Sequence, residues 1–480
     1  MKAYDVAIVG AGPAGLFAAL ELSGRGLRVA LIDKGLRAKH RKCPVSGPKR
    51  VKVGECVRCS PCHILYGVGG AGTLSSGIIN LRPDVGGDLH TLVGSWEEAE
   101  NLIKYVDSMF VRFGAPKNSL HIPRKEEIVR FERLAAKAGA KLIPTPQRVL
   151  GTENTVKVIE NMTNYLESKG VRVATRVEVT RITREGGLFK LATNTGFFMA
   201  RYVVLAPGRG GSKWFLSVAK ELEIDVVSGP LDVGVRLEMP SYVAEELTEV
   251  VRDPKIIMYT MSHDDKVRTF CVNPNGYVVL ERYDDGLMGV NGESYASIKS
   301  GNTNMALLVT IELTDPYEDA SSYGRRIASL ANRLGGGKPI IQRLGDLQAG
   351  RRSTWPRIMK SPVVPTLKAV TPGDIGMALP YRVVDDILEA LERLDTVIPG
   401  IASQQTLLYT PEVKFYSVKA KVTQDLQTNI ENLYAAGDGV GLSRGINVAA
   451  ATGIIAARGI MKKAGIEPHN TAIEEHPIPA

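Results

Sequence analysis

Tyr4-Asp-Val-Ala-Ile-Val-Gly10-Ala-Gly12-Pro-Ala-Gly15-Leu-Phe-Ala-Ala-Leu20 decides how this chain begins. Tyr4–Val9 is nearly all apolar, as a strand covered on both faces of a parallel sheet must be. The turn Gly10-Ala11-Gly12-Pro13-Ala14-Gly15 follows at once, and small residues open a helix predicted over Leu16–Ser23. A second strand, Arg28–Ile32, ends at Asp33 and Lys34. Gly10 makes the tight turn, Gly12 lets backbone approach a pyrophosphate, and Gly15 lets helix and strand pack closely. The helix N-terminus offers unpaired N–H groups and partial positive charge to phosphates. Asp33 is placed to accept from ribose hydroxyls and disfavours a 2′-phosphate. The segment therefore reads as the opening of a Rossmann-type dinucleotide-binding domain.

The complementary signal lies near the other end, in Thr428-Asn-Ile-Glu-Asn-Leu-Tyr-Ala-Ala-Gly437-Asp438-Gly439. A short apolar strand, Leu433–Ala436, ends in Gly437-Asp438. A helix is predicted over Asn447–Ile460 after Ser443-Arg444-Gly445, so Gly445, Ile446 and Asn447 form its mouth. Asp438 is expected at the ribityl or phosphate part of a flavin nucleotide. The helix dipole there favours negative charge on a reduced flavin's pyrimidine edge. Between these ends, Val171–Ile182 alternates as a single strand, with Val177 expected to meet adenine through its backbone. Tyr202–Ala206 is another apolar strand, closed by Pro207-Gly208-Arg209. No second strand–GxGxxG–helix unit occurs, so a nicotinamide domain is not expected. Electrons then come from a transient nicotinamide, the substrate or another centre.

The chain has 480 residues, too many for one core. The expected class is α/β, with three parts. A discontinuous Rossmann-type FAD-binding domain takes residues 1–93, 141–213 and 400–465. A helical insertion occupies 94–140. A mixed α+β substrate or cap domain spans 214–399, with strands at Leu231–Leu237, Lys255–Tyr259, Val267–Val272 and Tyr277–Leu280, and a tail follows over 466–480. No apolar run is long enough to span a bilayer, and the N-terminus enters the first strand directly, so a cytoplasmic location is expected. The net charge is +9, densest over Arg37–Arg58. That run lacks the interleaved aromatics of a nucleic-acid platform, so nucleic acid is not the expected partner. An RNA-binding or RNA-modifying flavoprotein is the alternative that charge raises, and a non-catalytic flavin module is a third.

Four of the five cysteines fall together: Cys43, then Cys56, Cys59 and Cys62. The triplet has the spacing that wraps one face of a 4Fe–4S cluster, and Cys43-Pro44 has the form of a closing ligand. Four thiolates equally suit zinc, and free or redox-active thiols are the third reading. The fifth, Cys271, is expected to be packing. The glycine run Gly69-Gly70-Ala71-Gly72 is expected to face the flavin, since so dense a run lets backbone approach a flat ring.

The chain resembles the uncharacterised FAD-dependent dehydrogenases of bacteria and archaea over nearly its whole length. The residues that carry this are Cys43-Pro44, Cys56-x2-Cys59-Ser-Pro-Cys62 and Gly69–Gly72. Asp232-Val-Gly234-Val-Arg236, Arg268-Thr-Phe-Cys271, Gln342-Arg343-Leu-Gly345-Asp346, Pro411-Glu412-Val-Lys414 and Gly437-Asp438-Gly439 continue it. The resemblance implies FAD and oxidoreductase activity without a named substrate. One departure is Ser75-Ser76-Gly77-Ile78, where members of that family read Ser-Asp-Gly-Lys. More distantly, the plan looks like flavoproteins that saturate carbon–carbon double bonds, including geranylgeranyl reductases. The expected function is hydride transfer at flavin N5 to or from a small organic substrate, acidic or unsaturated. Arg209, Glu412 and Lys414 are the expected catalytic residues, with Arg236 a further substrate-binding candidate, and a ferredoxin-like or nicotinamide donor is the expected partner.

Overall fold

Strand Gly196–Leu205 is the spine of the first sheet. Its first half pairs antiparallel with Leu188–Thr193, and Val179–Glu185 completes that edge. Its second half runs parallel between Tyr4–Val9 and Leu433–Ala435, so that Val204 lies beside both Ile8 and Tyr434. Val29–Asp33 and Arg172–Thr175 extend the sheet beyond Tyr4–Val9, again in parallel. The C-terminal ends of the parallel strands therefore share one edge, where Gly10, Asp33, Ala206 and Gly437 emerge. The computed structural model describes residues 3–43, 57, 59–74, 77–227, 229, 231–283, 286–295, 298–313, 320–415 and 418–467.

The two helices that follow those edge turns pack face to face. Pro13–Leu22 is buried from Ala14 through Leu22, and Ile446–Lys463 is buried along most of its length. A helix apolar on all sides has to lie inside a core. Their contact is backbone-close: a Cβ built on Gly453 would lie 2.0 Å from the Ala14 carbonyl oxygen. Helix Trp96–Arg112 covers the same core. Ser95 caps it by accepting from the Glu98 N–H, and Ala99, Leu102, Ile103, Val106, Met109 and Phe110 are its buried stripe. The rings of Phe110 and Phe17 are 5.3 Å apart.

An eight-stranded sheet builds the second core, in the order Thr371-Pro372, Ile340–Arg343, Leu407–Phe415, Leu231–Pro240, Asn302–Ile311, Lys266–Asn273, Lys255–Tyr259 and Ala140–Ile143. Helices Ser241–Val250, Ala320–Leu334 and Tyr381–Leu394 cover it with Ala244, Leu247, Ile327, Ala331, Ile387 and Leu391. The hairpin Tyr277–Arg282 with Met288–Glu293 stands apart as its own two-stranded sheet.

The α/β class and Rossmann-type sheet are as expected, and several details differ. Val171–Ile182 is two strands, because the chain turns at Arg176 (φ 59°) and sends Val179–Glu185 to the opposite edge of the sheet. The segment 94–140 holds two helices that serve different cores: Trp96–Arg112 lies on the first, whereas Lys125–Lys137 places Phe131 and Ala135 in the second. Ala140–Ile143 and Leu407–Phe415, grouped with the first domain by sequence, hydrogen-bond in the second sheet.

Replacing Gly453 with alanine tests the helix contact. Alanine in a helix interior is ordinarily better than glycine by about 1 kcal/mol. Here the added methyl meets backbone, so Gly453→Ala is expected to lower stability by roughly 1–3 kcal/mol. The urea midpoint measures this, and a midpoint at or above that of the parent chain contradicts the contact.

Candidate active site

A cavity of about 530 Å³ opens where the parallel edge of the first sheet faces the second sheet and its hairpin. Gly10, Gly12, Pro13 and Ala14 form part of its wall. Gly10 has φ +105°, and a Cβ there would strike the Ala206 carbonyl at 1.9 Å. Gly12 differs: its φ is −74°, open to any residue, and a Cβ would meet only the Gly70 Cα, at 3.7 Å. Neither backbone strain nor packing against the described residues accounts for glycine at 12. The Asp33 carboxylate accepts from the Ala11 N–H at 2.9 Å and the Gly35 N–H at 2.7 Å. A carboxylate has about four acceptor sites, so two remain beside the cavity for hydroxyls.

From the other chain end, Gly437, Asp438, Gly445, Ile446 and Asn447 line the same cavity. Ser443 Oγ donates to Asp438 Oδ1, and the Arg209 guanidinium lies 3.6 Å from Asp438 Oδ2. Asn447 Nδ2 donates at 3.1 Å to the carbonyls of both Arg82 and Val85. This pins the loop Arg82–Asp88 against the mouth of the helix, and a Cβ on Gly86 would come within 2.9 Å of the Gly445 Cα. Sequence reasoning passed over this loop, although the Gly86-Gly87 pair is its signal.

Behind the wall from the second sheet lies a buried ionic network. Arg236, with no exposed surface, grips Glu412 with two bonds, Nε to Oε2 at 2.7 Å and Nη2 to Oε1 at 2.8 Å. Its Nη1 donates to Asn304 Oδ1 at 2.8 Å and to the Cys271 carbonyl at 3.2 Å. Lys414 Nζ bridges Glu412 at 3.1 Å and Glu281 at 3.0 Å. Burial raises the Glu412 carboxyl's pKa, but the charges and hydrogen bonds of Arg236 and Lys414 outweigh burial and hold it below the usual carboxylate range. Burial likewise disfavours the Lys414 ammonium, yet Glu281 and Glu412 hold its pKa above the ordinary lysine value. Glu281, Asn291 and Cys271 carry this network to the cavity wall.

The cysteine loop folds back on the glycine edge. Cys43 and Cys62 line the cavity, Cys59 is partly exposed, and Cys56 lies outside the described residues. The guanidinium of Arg41, buried beneath, donates to the carbonyls of His63, Ile64 and Val68 at 2.8–2.9 Å. Burial lowers its pKa to about 10 against the opposing pull of Asp33 and Cys62. Arg37 and Lys39 pair with Glu160, and Arg37 also with Glu167. Much of the described basic run therefore spends its charge inside the chain. Among the described residues, no group of three or more metal-ligating side chains is gathered.

Most of the residues singled out by sequence line this one cavity: Gly10, Gly12, Pro13, Ala14, Asp33, Gly70, Ala71, Gly72, Gly208, Arg209 and the Gly437–Asn447 set. Others do not. Ala11 meets Asp33 through its N–H, and Gly15 lies where a Cβ would be 1.8 Å from the Gly10 carbonyl oxygen. Lys34 turns to Glu178 and the Tyr66 ring. The Val177 N–H is taken by the Asp33 carbonyl. Glu412 and Lys414 stand behind the wall. Cys271, expected to be packing, lines the cavity instead, at φ +51° in a bulged strand. Arg268 and Phe270 line it too.

Residues 5–41 match the family described as FAD dependent oxidoreductase, and residues 230–414 match FAD-dependent protein, C-terminal domain-like. The chain is an FAD-dependent oxidoreductase. A relative in Clostridium beijerinckii, described as an uncharacterized protein, is 26% identical over 487 residues, covering 96% of this chain and 81% of its own. Among solved structures the oxidoreductase is similar to glycine oxidase from Bacillus cereus, at 14% identity and a TM-score of 0.40, covering 97% of this chain and 99% of that one. L-proline dehydrogenase from P. horikoshii is similar at 11% identity and a TM-score of 0.39, with the same coverage. Among the described residues no helix is long and apolar enough to cross a membrane.

Glu412→Gln in this oxidoreductase leaves two buried cations against a neutral amide, an expected loss of about 3–5 kcal/mol. The pH dependence has a defined sign. A carboxyl held low in the folded state contributes stability above its unfolded pKa and loses it as pH falls through the folded value. The gap in melting temperature between parent and variant is therefore expected to be full at pH 7 and to narrow below about pH 4. A gap that does not change with pH contradicts the ion pair.

Proposed function

We propose that the chain transfers a hydride between FAD bound along the parallel edge and a small organic substrate held against the second sheet's wall. The observation that carries this reading is the meeting of Gly10–Ala14 and Gly437–Asn447, remote in sequence, on one cavity. Bound FAD supplies hydride chemistry at N5, and the chain supplies position and electrostatics.

The N-terminus of helix Pro13–Leu22 takes the pyrophosphate, since its first-turn N–H groups have no intrahelical acceptor. Asp33 takes the ribose through its remaining acceptor sites. Asp438, oriented by Ser443 and Arg209, takes the ribityl chain. The mouth of helix Ile446–Lys463 favours negative charge at the flavin's pyrimidine edge, and Gly70–Gly72 lets backbone approach the ring. Arg209 is the catalytic candidate on the cavity surface. Glu412 and Lys414 are positioning residues: Glu412 fixes Arg236, and Lys414 fixes Glu281 at the wall. Cys43, Cys56, Cys59 and Cys62 would hold an iron–sulfur cluster, which would supply one-electron transfer from a ferredoxin-like donor to the flavin, and the place of Cys43 and Cys62 on the same cavity supports this reading.

Gly12→Val separates binding from folding, because Gly12 has ordinary φ and an open Cβ direction. The variant is expected to keep its apoprotein melting temperature and bind FAD on the order of 100-fold more weakly, about 2.7 kcal/mol. Unchanged FAD affinity removes the pyrophosphate from this turn. Iron, zinc and acid-labile sulfide assays with an absorption spectrum, all on anaerobically purified protein, test the relay. Iron with sulfide supports it, whereas zinc alone, or no metal, overturns it.

A further inference from the structure

The charged side chains that the second sheet and hairpin contribute to the cavity wall fall into two sets. Lys255 is paired with Asp253 at 2.5 Å, Arg268 with Asp232 at 2.5 Å, and Glu281 with Lys414 at 3.0 Å. Arg282 is in no such pair. Among the described residues it has neither a carboxylate within 4 Å nor a hydrogen-bond partner, and its Nε is buried without an acceptor. Other buried polar atoms among the described residues also lack partners, and of those residues Arg282 is the one that lines the cavity. Lys266 and Lys368 share the wall and likewise have no ion-pair partner among the described residues.

A guanidinium presents a rigid planar fork of donors that matches the two oxygens of a carboxylate. Burying part of it without an acceptor costs free energy that none of the described residues returns. Of the anions that the second sheet and hairpin place in the wall, Asp253 and Glu281 are committed to Lys255 and Lys414, and Glu293 accepts from the Tyr295 hydroxyl. Arg282 lines the cavity, so an anion bound there can offer its guanidinium the acceptor that no described residue provides. We infer that Arg282 binds the carboxylate of the substrate, which makes the substrate class small organic acids. This rests on the reading of the cavity as the flavin and substrate site, and it deepens that reading.

The test uses FAD-loaded protein titrated with acetate, succinate and benzoate, and with uncharged benzamide, reading the visible difference spectrum of the flavin. At least one of the acids is expected to give a saturable change in the parent protein, and benzamide none. In Arg282→Leu the affinity for that acid is expected to fall at least about 30-fold, with part of it restored in Arg282→Lys. FAD affinity and melting temperature are expected to stay close to parental, because Arg282 makes no ion pair or hydrogen bond with the described residues. No response to any acid, equal responses to benzoate and benzamide, or unchanged acid affinity in Arg282→Leu overturns the inference. So does a tenfold or greater loss of FAD affinity in that variant, which would assign Arg282 to the nucleotide phosphates. Failure of the parent protein to hold FAD in this cavity is a separate result and strikes the underlying reading instead.

Discussion

The structure depends on a backbone-close contact between two helices that begin far apart in the chain. Pro13–Leu22 and Ile446–Lys463 touch where Gly453 faces the Ala14 carbonyl. The strands before them flank Gly196–Leu205, and Val204 joins them in register. Small residues make this possible: Ala14, Ala18, Ala449, Ala450 and Ala457 are all buried, and dispersion between close surfaces rewards such an approach. With helices and strands held this way, the turns at Gly10 and Gly437 come out at one sheet edge, and both helix N-termini open on one space.

The second half of the molecule organises charge. Arg236 and Glu412 lie fully buried on neighbouring strands Leu231–Pro240 and Leu407–Phe415. A buried pair roughly breaks even against an apolar substitute, yet is costly to break on one side. Its role here is to aim groups, since Lys414 and Arg236 reach the cavity through Glu281, Asn291 and the Cys271 carbonyl. Gly292 makes room for this: a Cβ there would lie 2.4 Å from Arg236 Nη1 and 2.2 Å from Asn304 Oδ1. The cysteine loop is handled in a parallel way, with the buried Arg41 guanidinium tying the chain from His63 to Val68 onto the glycine edge.

Where sequence reasoning worked, the information was local. The strand–turn–helix at Tyr4–Leu22 and the strand–turn–helix at Leu433–Lys463 each carry apolar periodicity and glycine at fixed offsets, so both were legible, with ends shifted by a few residues. Where it fell short, the deciding partner was remote. Asn302–Ile311, a central strand of the second sheet, opens with Asn302 and Asn304. Those amides look like a loop until their partners appear, Glu238 for Asn302 and Arg236 for Asn304. Val171–Ile182 alternates throughout, and its turn at Arg176 comes from bonds to Gly35 and Asp33 that no local pattern announces.

By itself, the sequence determined the glycine-lined edge of the first sheet, because its backbone geometry is dictated by glycine, proline and a terminal acid at short spacing. Tertiary structure alone decided which charged residues face the cavity. Arg209, Glu412 and Lys414 look alike in one dimension, but a β-strand alternates its faces and a bulge resets them. Only the packed sheets show Arg209 on the cavity surface, Glu412 locked behind it, and Arg282 in the wall without a partner among the described residues. A charge's role follows from its solvation and its neighbours, and those are properties of the fold.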